Sequence, residues 1–230
     1  MGSFYSNIHV RIPDRQAIEQ AWQSYWAGRG ESSWVMVSPA YGGWVSVFDW
    51  RCDQQETDVL TDLAAHISRT TDRVVLAFQV QDSDLAEYWL FNHGNEVDHY
   101  TSNEEYFAAY AQRPETNPDE GTYSGFGPDV KYGYPSEEDL TDGGNTGLLK
   151  TLTETNAAEM ELEAILRTPA MIADDILTAL ASAIGINDTW ASLGYHYLVT
   201  EGDTIPGIDQ FSNLPENQPL NQQRFAERDN

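Results

Sequence analysis

The side chains able to do acid–base or metal chemistry gather between residues 82 and 99. Asp82, Asp84 and Glu87 form an acidic turn behind an apolar strand, and His93, Asp98 and His99 follow within a few residues. Paired carboxylates can hold a hard cation or move a proton. Two imidazoles and a carboxylate can ligate zinc. Each pattern has a plainer reading. Asp82-Ser83-Asp84 fits a solvated turn with an Asx bond. Asp98 and His99 are neighbours on a strand, so their side chains leave it on opposite faces. The acidic spacing also lacks the glycine and distal glutamate of a calcium loop. The catalytic candidates are therefore Asp82, Asp84, Glu87, His93 and His99. No metal site and no cofactor is implied.

Other constellations are weaker. Cys52, the single cysteine, lies between Asp49 and Asp53, which would raise its thiol pKa, while Arg51 would lower it. A half-buried structural thiol is the simpler expectation. Gly143-Gly144-Asn145-Thr146-Gly147 precedes a helix, but the Gly-Lys-Ser/Thr of a phosphate loop is missing. No Gly-x-Ser-x-Gly elbow and no dinucleotide fingerprint occurs.

Aromatic residues are abundant: seven Trp, twelve Tyr and eight Phe. Most belong in a core. Trp44 and Trp50 flank a strand, and Tyr123, Phe126, Tyr132 and Tyr134 fall in a proline- and glycine-rich acidic stretch. Aromatics on loops suit protein recognition, so these six are the candidate interaction residues.

Charge limits the partners. Twelve Lys and Arg stand against 37 Asp and Glu, a formal net charge of −25. That balance argues against a phosphate-driven grip on nucleic acid and against an anionic membrane surface. Only Lys131 and Lys150 are lysines; the other ten cations are arginines. Many carboxylates with few lysines is a composition suited to molar salt, where the Debye length is about 3 Å. One cysteine precludes an internal disulfide, and no apolar run reaches the length of a membrane span. A soluble, cytoplasmic protein is the expectation.

These residues need elements to position them. Ser3–Ile12 reads as a strand, and Asp14 caps a helix carrying Ile18, Ala21, Trp22, Tyr25 and Trp26 on one face. Trp34–Val37 and Trp44–Phe48 make a hairpin. A second helix runs over Thr57–Thr70, and Val74–Val80 is a continuous apolar strand. Tyr88–Phe91 and Val97–Tyr100 flank the turn Asn92-His93-Gly94-Asn95. A short helix is expected over Asn103–Ala111. Past Gly143-Gly144 the pattern is helical, with stripes at Leu148–Leu152, Met160–Leu166 and Ile172–Ile184, and Leu193–Val199 alternates like a strand.

The order is β-α-β-β-α-β-β-β, then helices and one late strand. Segregated hairpins and helices predict an α+β fold with a mainly antiparallel sheet. The expected organisation is a sheet region over 1–111, an irregular acidic loop over 112–142, a helical region with the late strand over 143–209, and a poorly ordered tail over 210–230.

Met1-Gly2-Ser3-Phe4-Tyr5, Val37-Ser38-Pro39, Gly43-Trp44-Val45, Asp82-Ser83-Asp84, Tyr88-Trp89-Leu90 and Val97-Asp98-His99-Tyr100 occur in that order. Together they resemble a family of uncharacterised bacterial proteins that open with Met-Gly-x-Phe-Tyr and carry a Tyr-Val-Ser-Pro strand. Met36 stands where that family has Tyr. The resemblance implies one compact α+β unit and brings no assigned activity and no site residues.

The functional expectation is a non-enzymatic acidic protein that binds a basic protein partner, in the manner of an inhibitor or immunity protein, with salt adaptation a competing source of the acidity. The alternative is a small metal-dependent or acid–base enzyme with its site near the 82–99 hairpin.

Overall fold

In the computed structural model, residues 2–11, 14–102, 143–153, 159–167 and 173–214 are described. The helix expected over 103–111, the loop over 112–142 and its four aromatic residues Tyr123, Phe126, Tyr132 and Tyr134 lie outside them.

Seven strands form one sheet in the order β6-β5-β4-β1-β3-β2-β7, and every pairing is antiparallel. The strands are β1 (Tyr5–Val10), β2 (Val35–Val37), β3 (Val45–Asp49), β4 (Val75–Gln81), β5 (Leu85–Asn92), β6 (Asn95–Thr101) and β7 (Ser212–Leu214). Helices α1 (Arg15–Arg29), α2 (Trp50–Asp53) and α3 (Thr57–Thr71) come from the first half of the chain. Helices α4 (Thr146–Lys150), α5 (Glu159–Arg167), α6 (Ala173–Ile184), α7 (Asp188–Ala191) and α8 (Tyr195–Glu201) follow. The α+β class and the antiparallel sheet read from the sequence are the observed ones.

The sheet separates two helical layers. Its period of two sends alternate residues to opposite faces. Ile8, Val10, Val45, Val47, Val75, Ala77, Trp89 and Phe91 meet Ile18, Trp22, Trp26, Leu60, Leu63 and Ile67 of α1 and α3. Leu76, Phe78, Val80, Tyr88, Leu90 and Tyr100 face α4, α5 and α6 through Leu149, Leu162, Leu166, Leu177 and Leu180. A third cluster joins Met36 and Phe48 to Trp190, Leu193, Tyr195, Leu198 and Val199. With both faces covered, the inner strands become continuously buried, which is why β4 reads as an unbroken apolar run. Each fully buried Leu, Ile or Phe adds roughly 1.5–3 kcal/mol. Among the described residues no helix is long and apolar enough to cross a membrane.

The helix ends follow the sequence. Asp14 caps α1 by accepting from the Gln16 amide, and Gly30 closes it in the left-handed region. Asn145 caps α4 through the Leu148 amide. The turn into β6 has positive φ at His93 (52°) and Gly94 (78°), a type I′ hairpin. The turn between β4 and β5 is also of this kind, with φ 52° at Asp82 and 58° at Ser83. Side chains other than glycine are strained there. Asp84 N–H closes it on Gln81 O at 3.0 Å, and three bonds tie it to other segments: Ser3 N–H donates to Ser83 Oγ at 2.7 Å, Ser83 N–H to Ser3 O at 3.1 Å, and Ala173 N–H to Ser83 O at 2.8 Å. Gly42, at φ +55°, lets the β2–β3 turn meet the backbone after α6; a Cβ would stand 2.1 Å from Gly185 O.

Two elements differ from the sequence reading. Tyr195–Glu201 is helix α8, not a strand. Its buried residues Tyr195, Leu198 and Val199 are spaced i, i+3, i+4, and that face packs on Met36 and Phe48. Over so few residues the alternation of Tyr195, Tyr197 and Val199 fits either period. The late strand is instead Ser212–Leu214, inside the stretch expected to be poorly ordered. It pairs with β2 through Val35↔Leu214 and Val37↔Ser212.

Candidate functional site

The candidate site grows from one row of the sheet. On the face under α1 and α3, two rows are apolar except at the β6 edge, where His99 opens one of them: His99, Trp89, Ala77, Ile8, Val47 in one, Phe91, Val75, Val10, Val45 in the other. The next row is polar. Thr101 pairs with Glu87, Glu87 with Gln79, and Gln79 with Ser6. Asp49 continues it on β3. This end of the sheet is roofed by α2 and by the corner Gln54–Glu56 that leads into α3.

At its outer end the row brings together two residues singled out in the sequence. His99 Nε2 lies 3.6 Å from Glu87 Oε1. Thr101 Oγ1 donates to Glu87 Oε1 at 3.2 Å and sits 3.3 Å from His99 Nε2. The imidazole stacks on Trp89 with ring centres 4.9 Å apart and 13° between planes. A carboxylate and an imidazole this close form a pair able to exchange a proton. Inward from them, Thr57 Oγ1 donates to Gln79 Oε1 at 2.9 Å.

The remaining candidates do not join this pair. Asp82 belongs to the strained turn and Asp84 is exposed beside it. His93 stands at the opposite end of β5, on the surface, with Nδ1 2.5 Å from Asp72 Oδ1. Asp98 faces the other layer, as adjacency on a strand requires. It accepts from Tyr88 Oη at 2.7 Å and from Asn145 N–H at 2.8 Å. Among the described residues no three His, Cys, Asp or Glu side chains converge as a metal site would need. The Gly143–Gly147 loop is a helix cap, and Gly144 N–H donates to His99 O at 3.0 Å.

Cys52 is wholly buried, more deeply than expected. Burial pushes its thiol up, and the Asp49 and Asp53 carboxylates push it further. A thiol so disfavoured as thiolate is no nucleophile. Trp44 is a correction to the interaction list. It is 1% exposed, and its indole N–H donates to Ile184 O at 3.1 Å, so it belongs to the core. Trp50 is half-buried and lies edge-on to Trp34 at 5.1 Å.

Three buried polar groups carry structure that the sequence reading missed. Asp49 ends β3 and caps α2. Its carboxylate accepts from Trp22 Nε1 at 2.6 Å, Trp26 Nε1 at 3.1 Å and Ser33 Oγ at 3.0 Å. It also accepts from the Arg51 and Cys52 amides at 2.8 and 3.2 Å. Burial pushes its carboxyl up, and the Trp22 indole, the Ser33 hydroxyl and the two amides pull it back. A strand ending in Asp just before a helix start is an N-cap signal, and that clue was in the sequence; the indoles were not. Asn7 donates to Ala191 O at 2.9 Å and Leu193 O at 2.8 Å, tying β1 to the end of α7. His9 Nδ1 lies 2.9 Å from Ser46 Oγ. This resembles a nucleophile–base pair, but neither residue is more than 1% exposed. Burial holds the imidazole down at about 3, hence neutral.

Comparison of the chain with protein-family models, with curated proteins and with solved structures gives no match.

Proposed function

We propose that this chain is a non-catalytic binding protein whose acidic surface engages a basic protein partner. The observation that supports it is how the charge is deployed. Among the described residues the two most buried carboxylates, Asp49 and Asp53, are tied to the chain's own donors. Cations among the described residues are largely committed as well: Arg29 to Asp62 at 2.6 Å, Arg51 to Glu31 and Glu56 at 3.1 and 3.2 Å, and Lys150 to Glu159 at 3.6 Å. Among the described residues the surplus carboxylates are therefore left to the outside, on residues such as Asp14, Asp58 and Glu96. Such a surface steers a cationic partner and repels anionic ones. Basic protein partners in a reducing cytoplasm fit this picture, as does a lone buried cysteine.

The test is recovery of the partner from the source cells at native ionic strength, followed by calorimetry of the purified pair. A basic protein that saturates one-to-one, with Kd weakening as salt rises, is the expected result. Recovery of neutral or acidic partners only, or an affinity indifferent to salt, overturns the reading.

The same surface predicts a salt response. Like-charge repulsion opposes compaction in dilute buffer and is screened in molar potassium chloride. Tm should rise by about 5 °C or more between the two conditions. A flat or falling Tm by calorimetric scan would remove the salt-adapted component of the proposal.

A second reading, an acid–base or metal-dependent enzyme near the 82–99 hairpin, draws support from the Glu87–His99 pair alone.

A further inference from the structure

Strand β7 is paired along one side only. Among the described residues it is the last strand of the sheet, beyond β2. It follows two single-turn 3-10 helices, Gly202–Thr204 and Ile208–Gln210. Trp50 N–H donates to Trp34 O at 2.9 Å and Ser38 N–H to Ser46 O at 2.9 Å. Trp34, Met36 and Ser38 therefore turn their backbone groups to β3, and Val35 and Val37 turn theirs to Leu214 and Ser212 of β7. Side chains anchor the segment on both faces of the sheet. Phe211, just before the strand, has its ring centre 5.9 Å from Phe48 and 5.3 Å from Trp190. On the other face Leu214 is buried in the cluster of Ile18 and Val35. Two polar ties complete the contact. Arg15 Nη1 donates to Gln210 O at 2.8 Å, and Ser212 Oγ donates to the Glu19 carboxylate. An aromatic residue, two spacers and a leucine laid along a strand edge is how a sheet takes up an extended peptide.

We propose that the β2 edge is a peptide-binding edge, that residues 211–214 occupy it as a resident strap, and that an extended segment of the basic partner displaces them. The incoming segment lays an aromatic ring against Phe48 and Trp190 and a leucine three positions on. It carries lysine or arginine in the place of Ser212. Glu19 selects that charge. Its carboxylate serves the Ser212 hydroxyl and lies 3.4 Å from Arg15. A cationic donor in place of the hydroxyl makes a bond roughly twice as strong. The strap holds the advantage of its tether, an effective concentration of about millimolar, and the charged bond is what a displacing segment sets against it. Only the basic residue rests on the binding-protein reading above; the edge and its strap rest on the pairing.

Two measurements on the full chain test this. Amide hydrogen exchange reads the strap in wild type and needs no variant. Opening of β7 by itself makes the Val35 and Val37 amides exchange about tenfold faster, or more, than the Met36 amide between them, which β3 protects. Equal rates at the three positions overturn the strap. Fluorescence anisotropy then follows a labelled peptide with the sequence of residues 208–214. The Leu214→Ala chain, whose own strap is weakened, should bind it about tenfold more tightly than wild type does. Phe211→Ala in the peptide should abolish binding. The peptide with Ser212→Lys should bind more tightly than its parent, and Glu19→Gln in the chain should remove that gain. No binding to a Leu214→Ala chain that keeps the wild-type circular dichroism overturns the edge. Equal binding of the two peptides overturns the basic partner. A wild-type dimer in sedimentation that dissociates when peptide is added gives the edge to a second copy and overturns the partner as well.

Discussion

Asp49→Ala lowers the unfolding free energy by about 4 kcal/mol, a loss at the upper end of what one substitution does. The carboxylate is 1% exposed and is the shared acceptor of two indoles, one hydroxyl and two amides. Alanine leaves the Trp22 and Trp26 N–H groups buried without acceptors, at about 1–3 kcal/mol each. It also removes the cap of α2, worth about 1 kcal/mol. Asp49→Asn should fall between wild type and alanine. Its amide oxygen can keep the cap, but its NH₂ turns toward two indole donors. Urea unfolding measures both losses, and a red shift of tryptophan emission reports whether Trp22 and Trp26 have left their buried contacts. A loss under about 1 kcal/mol in Asp49→Ala would mean that the hub carries no weight. The substitution separates a structural carboxylate from a functional one, because nothing in this pocket is open to a ligand.

The architecture was legible where local signals and long-range packing agree. The stripes of α1, α3 and α6 are long enough to fix a helical period, and the unbroken run of β4 announces a strand covered on both faces. The candidate site was not legible, for a reason visible in β6. Counting back from the two-residue turn, Asn92 pairs with Asn95 and Phe91 with Glu96. Continued without interruption, that register would put Asp98 opposite Trp89 and turn it toward α3. The pairing slips between Leu90 and Phe91, so Trp89 meets His99 and Leu90 meets Asp98. The extra residue is Val97, 43% exposed. One bulged residue exchanges the faces of everything beyond it. His99 thereby joins Glu87 and Thr101, while Asp98 joins Tyr88 on the far side. Adjacency told that the two residues part company, but only the bulge decides which goes where. Trp44 was misplaced for a related reason. Its strand is apolar on both faces, so the sequence does not say which aromatic is surplus, and the carbonyl that accepts its buried indole N–H, Ile184 O, lies 140 positions away in the chain. Ser212–Leu214 is three residues long and becomes a strand only because β2 offers it an edge.

Asp53 gives the second large effect, and this one depends on pH. Its Oδ1 accepts from the Ser6 amide at 3.1 Å and its Oδ2 from the His196 amide at 2.8 Å. It therefore ties α2 to β1 and serves the first turn of α8, whose own N-cap, Gly194, has no side chain to offer. The approach is so close that a Cβ on Gly194 would stand 2.0 Å from Asp53 Oδ1. Burial pushes the carboxyl from 3.8 up to about 6; the two amides and His196 pull it down, and Asp49 adds to the rise. The folded chain thus holds this proton more tightly than the unfolded chain does. Its contribution to stability is full below about pH 4, fades as pH rises toward 6, and is gone above that. The change amounts to about 3 kcal/mol. Asp53→Asn lacks the titration, while its cost from turning an NH₂ toward an amide donor is the same at every pH. The advantage of wild type over Asp53→Asn should therefore shrink by about 3 kcal/mol between pH 4 and pH 7 in urea unfolding. A constant gap would show that the carboxyl titrates where an ordinary aspartate does. A gap that widens with pH would mean that the two amide bonds and His196 outweigh the burial. In that case the tether to α8 would be strongest at neutral pH, opposite to the direction that burial dictates.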